Sequence, residues 1–128
     1  MNLFIRISIA LVVPLSIHAL TLFTKETVKL KPTIRVMVLV EGVRKYGPVL
    51  LECDPNGTGF PNADQACAKL QSIDGILDSL EPNPAECPDI KKEVTVTLDG
   101  NYGGSFLVYR RVFKNEICAR STLGPLYP

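Results

Sequence analysis

Residues 94–113 read VTVTLDGNYGGSFLVYRRVF, and the reading of this stretch decides the fold. Val94, Val96 and Leu98 alternate with Thr95 and Thr97, so an extended chain carries apolar side chains on one face and hydroxyls on the other. DGNYGG then breaks the alternation with residues that tolerate positive φ. The β-branched and aromatic run SFLVYRRVF resumes it at Ser105. Two strands joined by a short glycine-rich turn make an antiparallel hairpin.

Working outward, TIRVMVLVEG (33–42) and GPVLLEC (47–53) are two further short strand patterns, the second following RKY. Between them and the hairpin lies PNADQACAKLQSIDGILDSL (61–80). Here Ala63, Ala66, Leu70, Ile73, Leu77 and Leu80 recur every three or four residues, which predicts one amphipathic helix. Asn62 is placed to cap it, with Gln65 completing a capping box, and Gly75 weakens it by about 1 kcal/mol relative to alanine. Strands, a helix and a hairpin without regular β-α alternation predict an α+β fold, the helix lying on one face of an antiparallel sheet.

The segment EPNPAECPDIKKE (81–93) fits neither pattern. Pro82, Pro84 and Pro88 forbid a helix and disfavour a paired strand, so the chain there is expected to be extended and exposed.

The first twenty residues, MNLFIRISIALVVPLSIHAL, combine one charge at Arg6, an apolar stretch from Ile7 to Ile17 and the small residue Ala19. This is the pattern of a secretory signal peptide over residues 1–19, with one domain over 20–128 and an extracellular location. The apolar stretch is too short for a comfortable membrane span. Removing the segment takes Arg6 and His18, and leaves basic and acidic residues in balance with no histidine. A neutral domain offers no footprint for nucleic acid or an anionic membrane. The missing imidazole excludes Ser–His and Cys–His catalysis and histidine-rich zinc sites. No paired-carboxylate or phosphate-loop motif replaces it, so neither an enzyme nor a metal or other cofactor is expected.

Cys53, Cys67, Cys87 and Cys118 form an even set behind a secretion signal, which favours two disulfides in any of three pairings. None of the spacings is C-x-x-C, so a metal site or a redox pair is disfavoured. Asn56 opens the sequon NGT, a candidate glycosylation site and equally a turn signal.

Taken in order, GPVLLECDPNGTGFPNADQACAKLQSIDG (47–75), CPDIKKEVTVTLDGNYGG (87–104) and VYRRVFKNEICA (108–119) resemble the Streptomyces subtilisin inhibitor family. The likeness spans residues 47–120 and rests on ordered motifs: C-D-P, P-x-A, A-C, C-P, V-x-L-D-G and V-F-x-N. It implies disulfides Cys53–Cys67 and Cys87–Cys118, a sheet of about five strands with two helices, and a homodimer formed by packing sheets face to face. It further implies that Glu86, Cys87, Pro88, Asp89, Ile90, Lys91 and Lys92 are a reactive-site loop presented to a subtilisin-type serine protease. The scissile peptide would be Asp89–Ile90, and Asn115 would buttress the loop. Glu93 stands where the family commonly has proline.

Asp89 departs from the hydrophobic or basic residue usual at that position. A carboxyl of ordinary acidity held neutral in an apolar pocket at pH 7 costs about 4 kcal/mol, about a thousandfold in affinity. Three readings follow: a target protease preferring acidic residues, a broad inhibitor carried by the remaining loop contacts, or a secreted, non-inhibitory binding module of the same fold.

Overall fold

In the computed structural model, which describes residues 30–128, the hairpin forms as expected. β3 (Val94–Tyr102) pairs with β4 (Ser105–Phe113), Val94 opposite Phe113 and Tyr102 opposite Ser105. Gly103 and Gly104, at φ 61° and 80°, make the two-residue turn that the right-handed twist of a hairpin favours. The strand therefore runs four residues beyond the Val–Thr alternation, and Asp99 is paired rather than turned: its carboxylate accepts from Arg35 Nε and Nη2 at 3.3 and 2.5 Å. The expected signal segment, residues 1–19, lies outside the described residues.

β1 (Thr33–Val40) and β2 (Val43–Glu52) form a second hairpin through Glu41 and Gly42. The sheet order is β2-β1-β3-β4, all antiparallel. β2 begins earlier than GPVLLEC because its register slips around Gly47, from Val36 opposite Val49 to Val38 opposite Tyr46. Gly47 (φ 90°) sits against the backbone of Val36 and Val49, where a Cβ has no room. Among the described residues the sheet has four strands rather than about five. The proline-rich 81–93 segment, which cannot supply a full ladder of N–H donors, adds none.

The predicted helix is divided. α1 (Ala63–Ser72) ends where Asp74 and Gly75 turn left-handed at φ 52° and 70°, with Gly75 N–H donating back to Leu70 O at 2.9 Å. Gly75 also lies under the Tyr102 ring, which leaves no space for a side chain. A 3₁₀ turn (Leu77–Ser79) then returns Leu77 and Leu80 to the core, so one periodicity served two segments. The capping box does not form: Asn62 is left-handed at φ 52° and its side chain makes no cap bond. A second helix, α2 (Glu116–Leu123), was implied only by the resemblance.

Ile34, Val36, Val38, Val96 and Leu98 from one face of the sheet bury against Ala66 and Leu70 of α1 and against Ala119 and Leu123 of α2. Both helices cover this face. The other face is open, and it leaves Phe106 and Val108 of β4 at 74% and 67% exposure. Disulfides join Cys53 to Cys67 and Cys87 to Cys118, the pairing the resemblance implied. The first ties the end of β2 to α1. The second ties the proline-rich segment to α2.

Candidate functional site: a clamped, exposed loop

The prolines between residues 82 and 88 set the approach to the loop. Pro84 starts a 3₁₀ turn (Pro84–Glu86) capped by Asn83, whose Oδ1 accepts from Ala85 N–H at 3.1 Å. Cys87 and Pro88 follow half-buried, and Asp89 to Glu93 are exposed and belong to no strand. Local sequence therefore keeps the loop out of regular structure. Tertiary contacts give it one shape.

Asn115 is the centre of those contacts. It precedes α2, and its Oδ1 accepts the Cys118 N–H at 3.0 Å, the helix-capping bond. Its Nδ2 donates to Pro88 O and to Ile90 O, each at 2.8 Å. One buried amide, 4% exposed, thus straddles the Asp89–Ile90 peptide and holds a main-chain carbonyl on either side. Ile90 N–H donates to Pro88 O at 2.9 Å and closes the turn at Asp89.

Each flank is fixed as well. Upstream, Cys87 is bonded to Cys118, and Glu86 Oε2 accepts from Ser121 Oγ at 3.1 Å. Downstream, Lys92 N–H donates to Lys114 O and Glu93 O accepts from Glu41 N–H, both at 2.8 Å. The Glu93 carbonyl thus anchors the loop to the β1–β2 turn.

The Asp89 side chain is 84% exposed, and its nearest counter-ion is Lys114 Nζ at 3.5 Å. Lys91 and Lys92 are exposed beside it. Asn56 lies in an exposed turn, and its Nδ2 donates to Asp64 Oδ1 at 2.7 Å. Among the described residues no group of three His, Cys, Asp or Glu side chains converges as a metal site. No described helix is long and apolar enough to cross a membrane.

Sequence reasoning missed Glu116. This first residue of α2 accepts from Lys45 Nζ of β2 at 2.5 Å, Arg120 Nη2 at 2.9 Å and Tyr127 Oη at 3.1 Å. Burial alone would raise its carboxyl, but the bonds from Lys45, Arg120 and Tyr127 outweigh that and hold it at about 2, against an ordinary 4.5. Because the folded value lies below the unfolded one, the stabilisation is complete above the ordinary value. It is lost as pH falls toward about 2. The melting temperature of the parent chain is expected to fall through that window more steeply than that of Glu116→Gln, as thermal unfolding at stepped pH would record. Parallel profiles would refute the assignment.

Residues 30–128 thus form a sheet covered on one face by two helices, with two disulfides and one exposed loop held from behind. Residues 30–115 match the subtilisin inhibitor-like family, and the chain belongs to it. It is 41% identical over 70 residues to subtilisin inhibitor-like protein 2 of Streptomyces rochei, covering 53% of this chain and 62% of that protein. It is 39% identical over 70 residues to the subtilisin inhibitor of Streptomyces albogriseolus, covering 53% of this chain and 49% of that protein. The chain thus matches between about half and three fifths of the length of these two relatives. Among solved structures, Streptomyces caespitosus sermetstatin, crystallised in complex with Bacillus licheniformis subtilisin, superposes with a TM-score of 0.63 at 25% identity, covering 76% of this chain and 96% of that one.

Proposed function

We propose that this protein is a secreted inhibitor of subtilisin-like serine proteases, exported by residues 1–19 and acting through residues 20–128. It binds as a substrate does, with Glu86, Cys87, Pro88 and Asp89 on the acyl side and Ile90, Lys91 and Lys92 on the leaving side. The observation that carries the reading is the Asn115 amide bridging Pro88 O and Ile90 O across the Asp89–Ile90 peptide.

The chemistry follows from that clamp. A protease serine attacks the Asp89 carbonyl, and scission would release an α-amine on Ile90 and an acyl group on Asp89. In an ordinary substrate the amine diffuses away. Here Asn115 grips both neighbours of the cut, and Cys87–Cys118 anchors the acyl side, so the amine stays poised to re-form the bond. Well-oriented groups of this kind react at effective concentrations of about 10⁵ M or more, so religation outruns hydrolysis. A loop ordered before binding also spares the complex the cost of ordering it.

Asp89 directs the choice of partner toward a protease whose primary pocket carries a basic or polar group, since an apolar pocket must desolvate the carboxylate unpaired. The test is titration of a panel of serine proteases, acidic-preferring ones included, with mass spectrometry of the inhibitor after long incubation. Near-stoichiometric loss of activity with a single cut at Asp89–Ile90 is expected. Cuts elsewhere would move the site, and an unaffected panel would leave the non-inhibitory binding module as the function.

The open sheet face supports a second part of the proposal, a homodimer joined face to face. Phe106 and Val108 project from β4 into solvent, and Val112 and Leu50 are also exposed large apolar side chains. Phe106→Glu should convert a dimer into a monomer in sedimentation at micromolar concentration. A parent chain that is itself monomeric there would refute the dimer.

A further inference from the structure

We propose that Glu116 is a positioning residue for the exposed loop, acting through Asn115; its bearing on inhibition rests on the reading of Asp89–Ile90 as the presented bond. Asn115 and Glu116 are consecutive, one capping α2 and the other opening it. Any slide or tilt of the first turn of α2 would lengthen both 2.8 Å bonds from Asn115 Nδ2 to the loop. What holds that turn therefore holds the loop.

The buried side of α2 at Ala119 and Leu123 contributes apolar contacts that have no preferred direction, and the Cys87–Cys118 disulfide ties the helix to the loop segment itself rather than to the sheet. Direction comes from Glu116. Its carboxylate takes Lys45 Nζ from the edge strand at 2.5 Å, Arg120 Nη2 one turn along the helix at 2.9 Å and Tyr127 Oη from the C-terminal segment at 3.1 Å. The donors are themselves held. The Arg120 guanidinium lies over the Tyr127 ring at 4.8 Å, and the Tyr46 ring meets Tyr127 edge-on at 6.1 Å. Three donors of fixed origin, two of them cationic, set the carboxylate in space and with it the start of the helix.

A general stability role would read differently. Glu116 is 26% exposed and its partners Lys45 and Arg120 are 40% and 54% exposed, a setting in which solvent screening keeps the contribution seen in the melting profile modest, and a purely global effect would speed loop and sheet exchange alike. Removing the carboxylate should loosen the loop while the sheet stays intact.

The experiment is amide exchange by NMR on the full chain, without any protease, comparing the parent with Glu116→Ala, Lys45→Ala and the double variant. In Glu116→Ala, the Ile90 and Lys92 amides and the Asn115 side-chain amide should exchange about tenfold faster, with β1 and β3 amides within about twofold of the parent. The double variant should exchange no faster than Glu116→Ala alone, because both substitutions break one contact. With a protease that cuts Asp89–Ile90, kcat for cleavage of Glu116→Ala should rise about tenfold with KM within about twofold. Unchanged loop exchange, or uniform acceleration in loop and sheet alike, would overturn the proposal. The exchange readout is independent of the inhibitor reading: a cut outside Asp89–Ile90 would leave it standing, and a clean cut there with unaltered exchange would overturn the role of Glu116 alone.

Discussion

Asp89→Met is expected to inhibit Bacillus licheniformis subtilisin about a thousandfold more tightly than the parent chain. The figure is the cost of burying a carboxyl without a partner in an apolar pocket, about 4 kcal/mol. The free protein loses almost nothing by the change, because Asp89 is 84% exposed and its pair with Lys114, at 3.5 Å, is solvated on both sides. The gain therefore arises in the complex. A methionine side chain also adapts well to an irregular apolar pocket. Against a protease that prefers acidic residues the same substitution should weaken inhibition. Initial rates titrated with both inhibitors decide the matter, and equal inhibition of subtilisin by parent and variant would remove Asp89 from the primary contact.

The second large effect is expected from Cys87→Ala combined with Cys118→Ala. The bridge spans 31 residues of sequence, for which chain-entropy arguments give about 4 kcal/mol of stability. Loss of the bridge should also turn the inhibitor into a substrate, since the acyl side of the cut would no longer be anchored. The other bridge provides the control. Cys53→Ala with Cys67→Ala opens a loop of 14 residues and should cost about 3 kcal/mol, while leaving the rate of cleavage at Asp89–Ile90 nearly unchanged. Urea unfolding and a cleavage time course on both pairs separate the two contributions. If both pairs are cut at the same rate, the disulfide at Cys87 stabilises the fold without governing the loop.

The hairpin was legible because a period-two alternation runs into a glycine-rich stretch, and the structure turns at the glycine pair that closes that stretch, four residues beyond the alternation. The loop was legible because three prolines bar an α-helix and a paired strand, although Pro84–Glu86 close a 3₁₀ turn where an extended chain was expected. The helix over 61–80 was overextended for a physical reason: Leu77 and Leu80 continue the helical spacing although Asp74 and Gly75 have already turned the chain left-handed. Periodicity records which side chains reach the core, and two short segments can satisfy it as well as one. α2 escaped because eight residues of mixed polarity carry little pattern. The disulfide pairing could not be chosen from the residues alone and came through the resemblance. Glu116 and Lys45 are 71 residues apart and read as ordinary surface charges until the fold brings them together.

Asn115 takes hold of oxygen atoms that any amino acid would supply. The identities of residues 89 and 90 are therefore invisible to the clamp, and the scaffold is indifferent to what is written there. On the proposed inhibitor reading, substitutions at these two positions would change which protease is met while leaving untouched the hold that presents them.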